Sequence, residues 1–358
     1  MIPSRSDHVL VARLDNDGDV LLTGPAVRAI AARASRVTLL CGPRGRAAAE
    51  LLPGVDEVVV HRAPWIDPEP GPFDGAAQLA LVDDLAARGI DRAVAFTSHH
   101  QSALPLALLL RLADIRFVAA TSGDYPGSLL DVRHHADDLV HEVERSLSLV
   151  GACGYELPLG DDGRLRVRRG GAGSLLDLER PYLVVHPGAS VPARAWPPER
   201  SAELVGALVA SGRRVVVTGA GEEAALTARV AGGPKPGVTD LGGATSFGEL
   251  VEVLAAAEAV VVGNTGPAHV AAAVGTPVVS LFAPTVPAVR WRPWKVRHEL
   301  LHVDVPCAGC RARECPVPGH PCLAGVSVSD VVAALDRLVG APPREARAPL
   351  ALATGAGR

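Results

Sequence analysis

Aromatic side chains, long apolar runs and excess charge are all scarce in this chain of 358 residues. Phe, Trp and Tyr number only 5, 4 and 3, so Val, Leu and Ala have to fill the core, as they do in buried parallel strands. The formal net charge is −4 and no long basic block occurs, which excludes a nucleic-acid partner. The N-terminus lacks the apolar segment of a signal peptide, and no run approaches the ~20 apolar residues that span a bilayer. We therefore expect a cytoplasmic protein.

Short apolar runs bounded by Gly and Pro alternate with helical stretches along most of the chain. One series ends near residue 150, a second begins near residue 182, and the sequence between them is polar and rich in glycine. This alternation predicts an α/β protein: an N-terminal Rossmann-like domain over residues 1–170, a C-terminal one over residues 171–340, and a disordered tail over residues 341–358. Ligands of such sheets bind beyond the carboxyl ends of the strands, so we expect an interdomain cleft.

The stretch over residues 259–285 reads AVVVGNTGPAHVAAAVGTPVVSLFAPT and predicts a strand, a short helix and a second strand. A right-handed crossover of this kind places the turn before the helix at the carboxyl edge of the sheet. We expect Thr265 to cap the helix and Pro267 to occupy its first turn. The unpaired N–H groups of that turn suit a phosphate or diphosphate, and His269 can donate to the same anion. Most such helix ends bind no ligand, so the stretch alone does not establish a site.

An acidic loop with the sequence DNDGD follows the first predicted strand, at residues 15–19. A calcium-binding EF-hand is excluded by register, because its loop needs Gly and Glu where this chain has Val20 and Ala26. A metal site of the Asp-x-Asp type for a nucleotide sugar is disfavoured, because a nucleotide-binding half is expected to precede such a site. The remaining interpretations are that Asp19 is a general base, with Gly18 admitting a substrate hydroxyl, or that it only caps a helix.

A second polar segment follows the strand predicted over residues 182–186. Ser190 lies in this segment, four residues before Arg194 in the sequence RAWP. A cation and oriented N–H groups are what a departing diphosphate needs when no metal is present. The alternatives are a solvated surface arginine and a tryptophan that only anchors packing. We favour a functional role for Arg194 and a structural one for Trp196.

A glycine-rich turn with the sequence GAGEEA follows a predicted strand at residues 219–224. Together with Asp240, about twenty residues further on, it fits the dinucleotide-binding fingerprint. This pattern makes an NAD(P)-dependent oxidoreductase the main alternative function. Glu222 and Glu223 argue against it, because they would place two carboxylates in the helix's first turn, where the pyrophosphate should bind.

Four cysteines cluster near the end of the second series. They are Cys307, Cys310, Cys315 and Cys322. Four thiols suit tetrahedral zinc, although their spacing is less regular than that of paired CxxC knuckles. The sequence therefore leaves two hypotheses, a structural zinc site and metal-free thiols. We expect Cys41 and Cys153 to be reduced thiols.

Three motifs carry a family resemblance. They read RLDNDGDVLLTGPA over residues 13–26, RAWP over residues 194–197 and NTGPAH over residues 264–269. Together they resemble glycosyltransferase family 9, the family that contains the heptosyltransferases of lipopolysaccharide synthesis. The chain departs from the family pattern at two positions. Arg194 stands where the family has lysine, and Asn264 stands where aspartate commonly precedes Thr-Gly.

The resemblance implies a GT-B fold, in which two Rossmann-like domains enclose a cleft. It implies an inverting transfer of heptose or a related sugar from a nucleoside-diphosphate donor to a cell-envelope glycan or glycolipid, with Asp19 as catalytic base and no catalytic metal. The implied donor-binding residues are Ser190, Arg194, Glu223 at the ribose, Leu241 and Gly242 at the base, Asn264, Thr265, Gly266, Ala268 and His269. An enzyme of this kind is expected in the cytoplasm, at the inner face of the membrane, with at most peripheral membrane contact.

Overall fold

Two parallel six-stranded sheets, one in each half of the chain, form the fold. The computed structural model describes residues 3–137, 139–170 and 178–341. The first sheet contains β1 His8–Arg13, β2 Arg36–Cys41, β3 Glu57–Val60, β4 Arg92–Phe96, β5 Phe117–Thr121 and β6 Val132–His134. The second contains β7 Leu183–His186, β8 Val215–Gly219, β9 Val238–Gly242, β10 Val260–Gly263, β11 Val278–Leu281 and β12 His298–Leu301.

Helices connect the strands of both sheets. Those of the first half are α1 Asp17–Leu22, α2 Gly24–Ala31, α3 Arg46–Leu51, α4 Gly75–Ala87, α5 Leu104–Leu112 and α6 Glu142–Ala152. Those of the second half are α7 Pro198–Ala210, α8 Ala224–Ala231, α9 Phe247–Ala256, α10 Gly266–Val274, α11 Ala288–Trp291, α12 Pro321–Ala324 and α13 Val328–Val339. Short 3₁₀ turns occupy Pro43–Gly45, Gly127–Leu129, Pro192–Arg194 and Gly221–Glu223. In the part of the chain that the structure describes, no helix combines the length and apolar composition needed to span a bilayer.

Both sheets have the same strand order, which is β3-β2-β1-β4-β5-β6 in the first and β9-β8-β7-β10-β11-β12 in the second. In this order the chain switches direction across the sheet between β1 and β4, and again between β7 and β10, so a crevice opens there beyond the strand ends. Arg13 pairs with Phe96 at the first of these points, and His186 pairs with Val262 at the second. The polar loops singled out in the sequence emerge at these two points.

The α/β architecture with two Rossmann-like sheets is confirmed, with differences at the first helix and at the sheet edges. The first helix begins at Asp17, so Asp19 lies inside it and not at its N-cap, and the helix breaks at Thr23, where Gly24 and Pro25 start α2. Three strands were not predicted: β6, β9 and β12. All three are edge strands with partly exposed polar residues, so they contain no continuous apolar run.

The predicted boundary between the two domains, at residues 170 and 171, lies beside a segment outside the described residues. The predicted disordered tail, residues 341–358, also lies outside them except for its first residue. The division into domains over residues 1–170 and 171–340 therefore stays a prediction, although each range contains one complete sheet.

The polar segment between α6 and β7 bridges the two halves of the chain. From the first half, Arg28 of α2 donates from Nε and Nη2 to the Asp161 carboxylate at 2.7 and 2.9 Å. From the second half, Nε1 of Trp294 donates to the carbonyl oxygen of Gly163 at 2.8 Å. The hydrogen bonds from Arg28 lower the pKa of Asp161 to about 2. The segment is thus hydrogen-bonded to both halves of the chain.

His141 makes a second connection between the halves. Its Nδ1 accepts a hydrogen bond from the N–H of Val143 at 3.1 Å and caps α6, and its Nε2 donates to the carbonyl oxygen of Arg292 at 2.9 Å. The ring also stacks on Trp294, with centroids 4.3 Å apart. One accepting and one donating nitrogen require the neutral imidazole. Burial lowers the pKa of His141 to about 4 and so keeps it neutral.

We expect the contribution of His141 to stability to be lost as the pH falls below about 6.5, because the unfolded chain then binds a proton that the folded chain does not. Between pH 7 and pH 5 the wild type should lose about 2 kcal/mol more unfolding free energy than His141→Asn, which keeps a capping oxygen. Urea denaturation at the two pH values measures the difference. His100→Asn, at an exposed position, is the control and should match the wild type. Equal pH dependence in the wild type and His141→Asn would contradict this expectation.

Candidate active site

A cleft of about 440 Å³ lies between the switch points of the two sheets. Its walls come from the loop after β1 and the start of α1 on one side, and from the turns after β7, β8, β9 and β10 on the other. Eight residues singled out in the sequence line it: Asp19, Ser190, Arg194, Glu223, Asn264, Thr265, Gly266 and His269. The fold therefore brings together residues that are more than two hundred positions apart in the chain.

The two sides of the cleft touch at Gly18. A Cβ atom at this position would lie 3.0 Å from Cδ2 of His269 and 3.1 Å from Cα of Gly266. The first turns of α1 and α10 are therefore in van der Waals contact, and a larger residue would have to push the helices apart. Asp19 is the next residue of α1 and lines the same cleft.

The three aspartates of the acidic loop have different partners. Asp15 is buried and pairs with Nε of Arg13 at 2.7 Å. Asp17 accepts a hydrogen bond from the N–H of Ala48 at 2.9 Å, in the first turn of α3. Asp19 accepts from Nη2 of Arg13 at 3.0 Å and keeps 21% of its side-chain surface exposed. Asp17 and Asp19 both line the cleft, and burial raises the pKa of each to about 6. The hydrogen bond that ties Asp17 to the backbone of α3 is what distinguishes the two and favours Asp19 for chemistry.

The carboxylate of Asp19 is more basic than that of an ordinary aspartate. Burial raises its pKa to about 6, Arg13 opposes this rise, and Asp15 and Glu142 add to it. At pH 7 the group is ionised, and its pKa lies close enough to neutrality for efficient proton transfer. These electrostatics suit a general base.

Three buried polar atoms in the cleft have no hydrogen-bond partner among the described residues. They are Nε of Arg194, Oδ1 of Asn264 and Nδ1 of His269. Buried polar groups are nearly always paired in proteins, so these three atoms are candidates for contact with water or a polar ligand. Burial lowers the pKa of His269 to about 3, which keeps this ring neutral. Burial also lowers the pKa of Arg194, but a guanidinium stays charged at neutral pH.

The first turn of α10 offers fewer N–H groups than its sequence suggests. Pro267 has none, and the N–H of Ala268 bonds to the carbonyl oxygen of Thr265 at 3.1 Å. Gly266 is left to supply an N–H at this end of the helix. The positive end of the helix dipole still faces the cleft, but most of the positive charge there has to come from Arg194.

The glycine-rich turn after β8 is not open to a pyrophosphate. Glu223 accepts a hydrogen bond from the N–H of Ala220 at 2.8 Å and lies 3.8 Å from Nε2 of His186. A Cβ atom on Gly188 would lie 1.9 Å from Oε1 of Glu223, so the carboxylate fills the space beside the turn. A dinucleotide's pyrophosphate would meet this negative charge. The NAD(P)-dependent oxidoreductase predicted as the alternative is therefore not supported.

Three predicted donor-binding residues do not line the cleft. Leu241 and Ala268 are buried in the apolar core. Gly242 packs against a side chain of α8, because a Cβ atom there would lie 1.8 Å from Oγ1 of Thr227. The apolar surface of the cleft comes instead from Phe247 and Leu250 of α9.

Several lining residues were not singled out as site residues in the sequence, among them Arg44, His186 and Phe247. Arg44 lies in the 3₁₀ turn after β2, and Phe247 begins α9 after the unpredicted edge strand β9. Ser246 caps α9 by accepting from the N–H of Glu249, whose carboxylate accepts from the N–H of Ser246 in return. The S-x-x-E pattern of this capping box predicts where a helix begins. It places that helix start beside the cleft only if the strand before it is also recognised.

The four clustered cysteines are not arranged as a metal site in this structure. Among the described residues, no group of three or more His, Cys, Asp or Glu side chains lies close enough to hold a metal ion. Cys310 is exposed, whereas Cys322 is buried in the apolar core of the second half, and burial raises its pKa. Cys315 instead donates from Sγ to the carbonyl oxygen of Val317 at 3.5 Å. A structural zinc site at these cysteines is therefore not supported.

Two Rossmann-like sheets that face each other across a cleft, lined from both switch points, define the GT-B class of fold. Within it, the chain belongs to glycosyltransferase family 9 (heptosyltransferase), whose family model matches residues 79–320. The family resemblance of the sequence motifs is thereby confirmed. Asp19 precedes the matched range, so its role depends on the geometry described above.

Relatives and solved structures agree with this assignment. The chain is 30% identical over 167 residues to lipopolysaccharide heptosyltransferase 3 of Escherichia coli, and the match covers 44% of this chain and 47% of that protein. The chain thus spans about half the length of the curated relatives it matches. ADP-heptose lps heptosyltransferase II of E. coli has a TM-score of 0.71 at 21% identity, covering 93% of this chain and 98% of that one. E. coli heptosyltransferase WaaC with ADP has a TM-score of 0.66 at 22% identity, covering 92% and 99%, and both structures show the shared fold.

We expect Gly18→Ala to destabilise the protein by about 1 to 3 kcal/mol, because the new Cβ atom would overpack the contact with α10. The matched control is Gly206→Ala in α7, where a Cβ atom meets nothing within 4 Å. It should stabilise the helix by roughly 0.5 to 1 kcal/mol. Urea denaturation measures both changes. A stabilised Gly18→Ala variant would contradict the close approach of the two helices.

Proposed function

We propose that this chain transfers a sugar from a nucleoside-diphosphate donor to a hydroxyl group of a cell-envelope glycan or glycolipid, with inversion at the anomeric carbon. One observation carries the proposal: a basic carboxylate on the first wall of the cleft stands opposite a cation and unpartnered polar atoms on the second. Membership of family 9 supports the reaction class. The relatives are named heptosyltransferases, so we propose heptose or a related sugar.

Asp19 is the proposed catalytic base. Its carboxylate takes the proton of the acceptor hydroxyl as the oxygen attacks the anomeric carbon of the donor. The bond between that carbon and the diphosphate oxygen breaks on the opposite face, which inverts the configuration. One base suffices for this displacement, because the leaving group departs as an anion.

The departing diphosphate needs positive charge and hydrogen-bond donors, because it gains negative charge as the bond breaks. Arg194 supplies the cation on the second wall, and Ser190 and the N–H of Gly266 line the same part of the cleft. Asn264 and His269 complete the polar surface with their unpartnered atoms. No metal is required in this proposal, because protein groups of suitable charge are already in place.

The cleft has an apolar part and an acidic part that suit a nucleoside. Phe247 and Leu250 offer an apolar surface to the base, and Glu223 offers a carboxylate to the ribose hydroxyls. The related WaaC is described as a complex with ADP, so we propose ADP as the nucleotide.

In this proposal the first domain, residues 1–170, holds the acceptor, and the second, residues 171–340, holds the donor. The base lies on the first and the cation on the second, as a displacement between two bound substrates requires. A cytoplasmic location at the inner face of the membrane, with at most peripheral contact, remains a prediction.

Arg194→Ala should weaken nucleoside-diphosphate binding ~10- to 100-fold, because a charge-assisted hydrogen bond contributes ~1.5 to 3 kcal/mol. Calorimetry with ADP, UDP and GDP measures the loss and identifies the preferred nucleotide. The control is Arg200→Ala, which removes an exposed arginine of α7 that pairs with Glu203 outside the cleft. Unchanged affinity in Arg194→Ala would leave this arginine without a role at the diphosphate.

Asp19→Asn should reduce the rate of transfer ~10²- to 10⁴-fold, the usual contribution of a general base. The asparagine keeps the shape of the side chain and an accepting oxygen for Arg13, so folding and donor affinity should hardly change. Initial rates of nucleoside-diphosphate release measure the effect, and calorimetry checks donor binding.

Asp17→Asn is the matched control, because it removes the same charge from the same loop. Its side-chain oxygen still accepts from the N–H of Ala48, so we expect transfer within a few-fold of wild type. If Asp17→Asn is inactive while Asp19→Asn turns over, the base is misassigned. If both variants are fully active, the proposed mechanism at this loop fails.

A further inference from the structure

Arg13 is a buried cation at the centre of the acidic side of the cleft. It ends β1, and only 1% of its surface is exposed. Its Nη2 donates to Asp19 at 3.0 Å and to Oγ of Ser98 at 2.9 Å. Its Nε lies 2.7 Å from Asp15, and its Nη1 lies 3.7 Å from Glu142. One guanidinium is thus shared by three carboxylates.

This arrangement concentrates negative charge in a nearly dry site. A second cation, Arg145 of α6, lies 3.4 Å from Glu142 and bonds to the carbonyl oxygen of Thr97. Glu142 and Asp15 have side chains only 2% and 8% exposed, whereas that of Asp19 is 21% exposed. A proton that enters from the cleft therefore reaches Asp19 first. Desolvated carboxylates at such short range repel one another strongly unless a cation stands between them.

We propose that Arg13 is a positioning residue for the base: it holds one oxygen of Asp19, turns the other toward the acceptor hydroxyl, and keeps the carboxylate ionised against its acidic neighbours. The inference rests on the proposed function, in which Asp19 is the base. Arg13 is buried and does not touch substrate, so its removal acts on turnover through Asp19. The hydrogen bond to Oγ of Ser98 fixes the guanidinium plane in the orientation that this role requires.

The groups that face Asp19 divide into those that favour its ionised form and those that oppose it. They are Arg13 of β1, Asp15 of the following loop, Glu142 of α6, Arg194 of the turn after β7, and the neutral His269 of α10. The two arginines favour the carboxylate, and the two acids disfavour it. Loss of Arg13 and loss of Glu142 must therefore move the protonation of Asp19 in opposite directions.

The test is the pH profile of kcat. In Arg13→Gln the acid limb of this profile, where kcat falls as Asp19 becomes protonated, should move to higher pH by ~1 to 2 units. The rate at pH 7 should then fall at least ~10-fold, while donor affinity stays within about 2-fold of the wild type. In Glu142→Gln the acid limb should move down, by at least ~0.5 unit. A purely structural role lowers the rate at every pH without moving the limb. An unmoved limb in Arg13→Gln, or an upward shift in Glu142→Gln, would overturn the proposal.

Two further variants separate charge from geometry. Arg13→Lys keeps the positive charge but loses the planar set of guanidinium N–H donors. The acid limb of its kcat profile should therefore stay within about 0.5 pH unit of the wild type, while the maximal kcat falls. Arg92→Gln is the matched control, because it removes another buried, ion-paired arginine of the first half, at the start of β4 and outside the cleft. This variant should be less stable than the wild type, and the acid limb of its kcat profile should stay at the wild-type pH. If Arg13→Gln does not fold, the direction of the Glu142→Gln shift decides.

A second readout is independent of turnover. Titration of the Asp carboxyl carbons by NMR in ¹³C-labelled protein, with Asp19 assigned from its missing signal in Asp19→Asn, should show the same opposite shifts in Arg13→Gln and Glu142→Gln. If these shifts occur but the wild type transfers no sugar, the proposed function fails and the electrostatic role of Arg13 stands. If the wild type transfers sugar but Asp19 titrates identically in all variants, only the role of Arg13 fails.

Discussion

The shape of the cleft depends on the close approach of two helix N-termini, one from each half of the chain. Gly18 has no side chain, so the first turn of α1 can rest on Gly266 and His269 of α10. This contact sets the width of the cleft and aligns Asp19 with the polar wall opposite. The bridging segment after α6 and the ring of His141 then fix the remaining degrees of freedom between the halves. The site is therefore a property of the interface between two sheets rather than of either sheet alone.

The two walls of the cleft carry groups of opposite charge, carboxylates on the first and an arginine on the second. On the first wall, burial raises the pKa of Asp19, and the neighbouring carboxylates Asp15 and Glu142 add to this rise while Arg13 opposes it. On the second wall, the half-buried Arg194 has no hydrogen-bond partner for its Nε among the described residues, which leaves this cation available to an anion. Desolvation strengthens both effects, because charges interact more strongly away from water. One side of the cleft thus carries a proton acceptor, and the other side carries a cation. This combination suits a displacement that removes a proton from one substrate and releases an anion from the other.

Much of this could be predicted from the sequence, and the failures have physical causes. The strand, turn and helix around Asn264 were predictable, because an apolar run and Gly-Pro punctuation leave few alternatives. The choice of Asp19 among three aspartates needed the family motif, since only the fold shows which carboxylate is held elsewhere. The wall formed by Phe247 was missed because its preceding edge strand has no apolar run. The structural zinc site is not supported, because no group of three or more ligand side chains among the described residues lies close enough to hold a metal ion, and the spacing of cysteines along the chain cannot show this distance.

Because aromatic residues are scarce, the tryptophan fluorescence of this chain comes from few sites. Only four tryptophans occur in the chain, and two of them are at the domain junction. Trp291 lines the cleft, and Trp294 stacks on His141 and bonds to the bridging segment. Indole emission responds to polarity and to nearby quenching groups, so the intrinsic fluorescence of the unlabelled chain should follow what enters the cleft. Rapid-mixing experiments could then time substrate arrival separately from the chemical step.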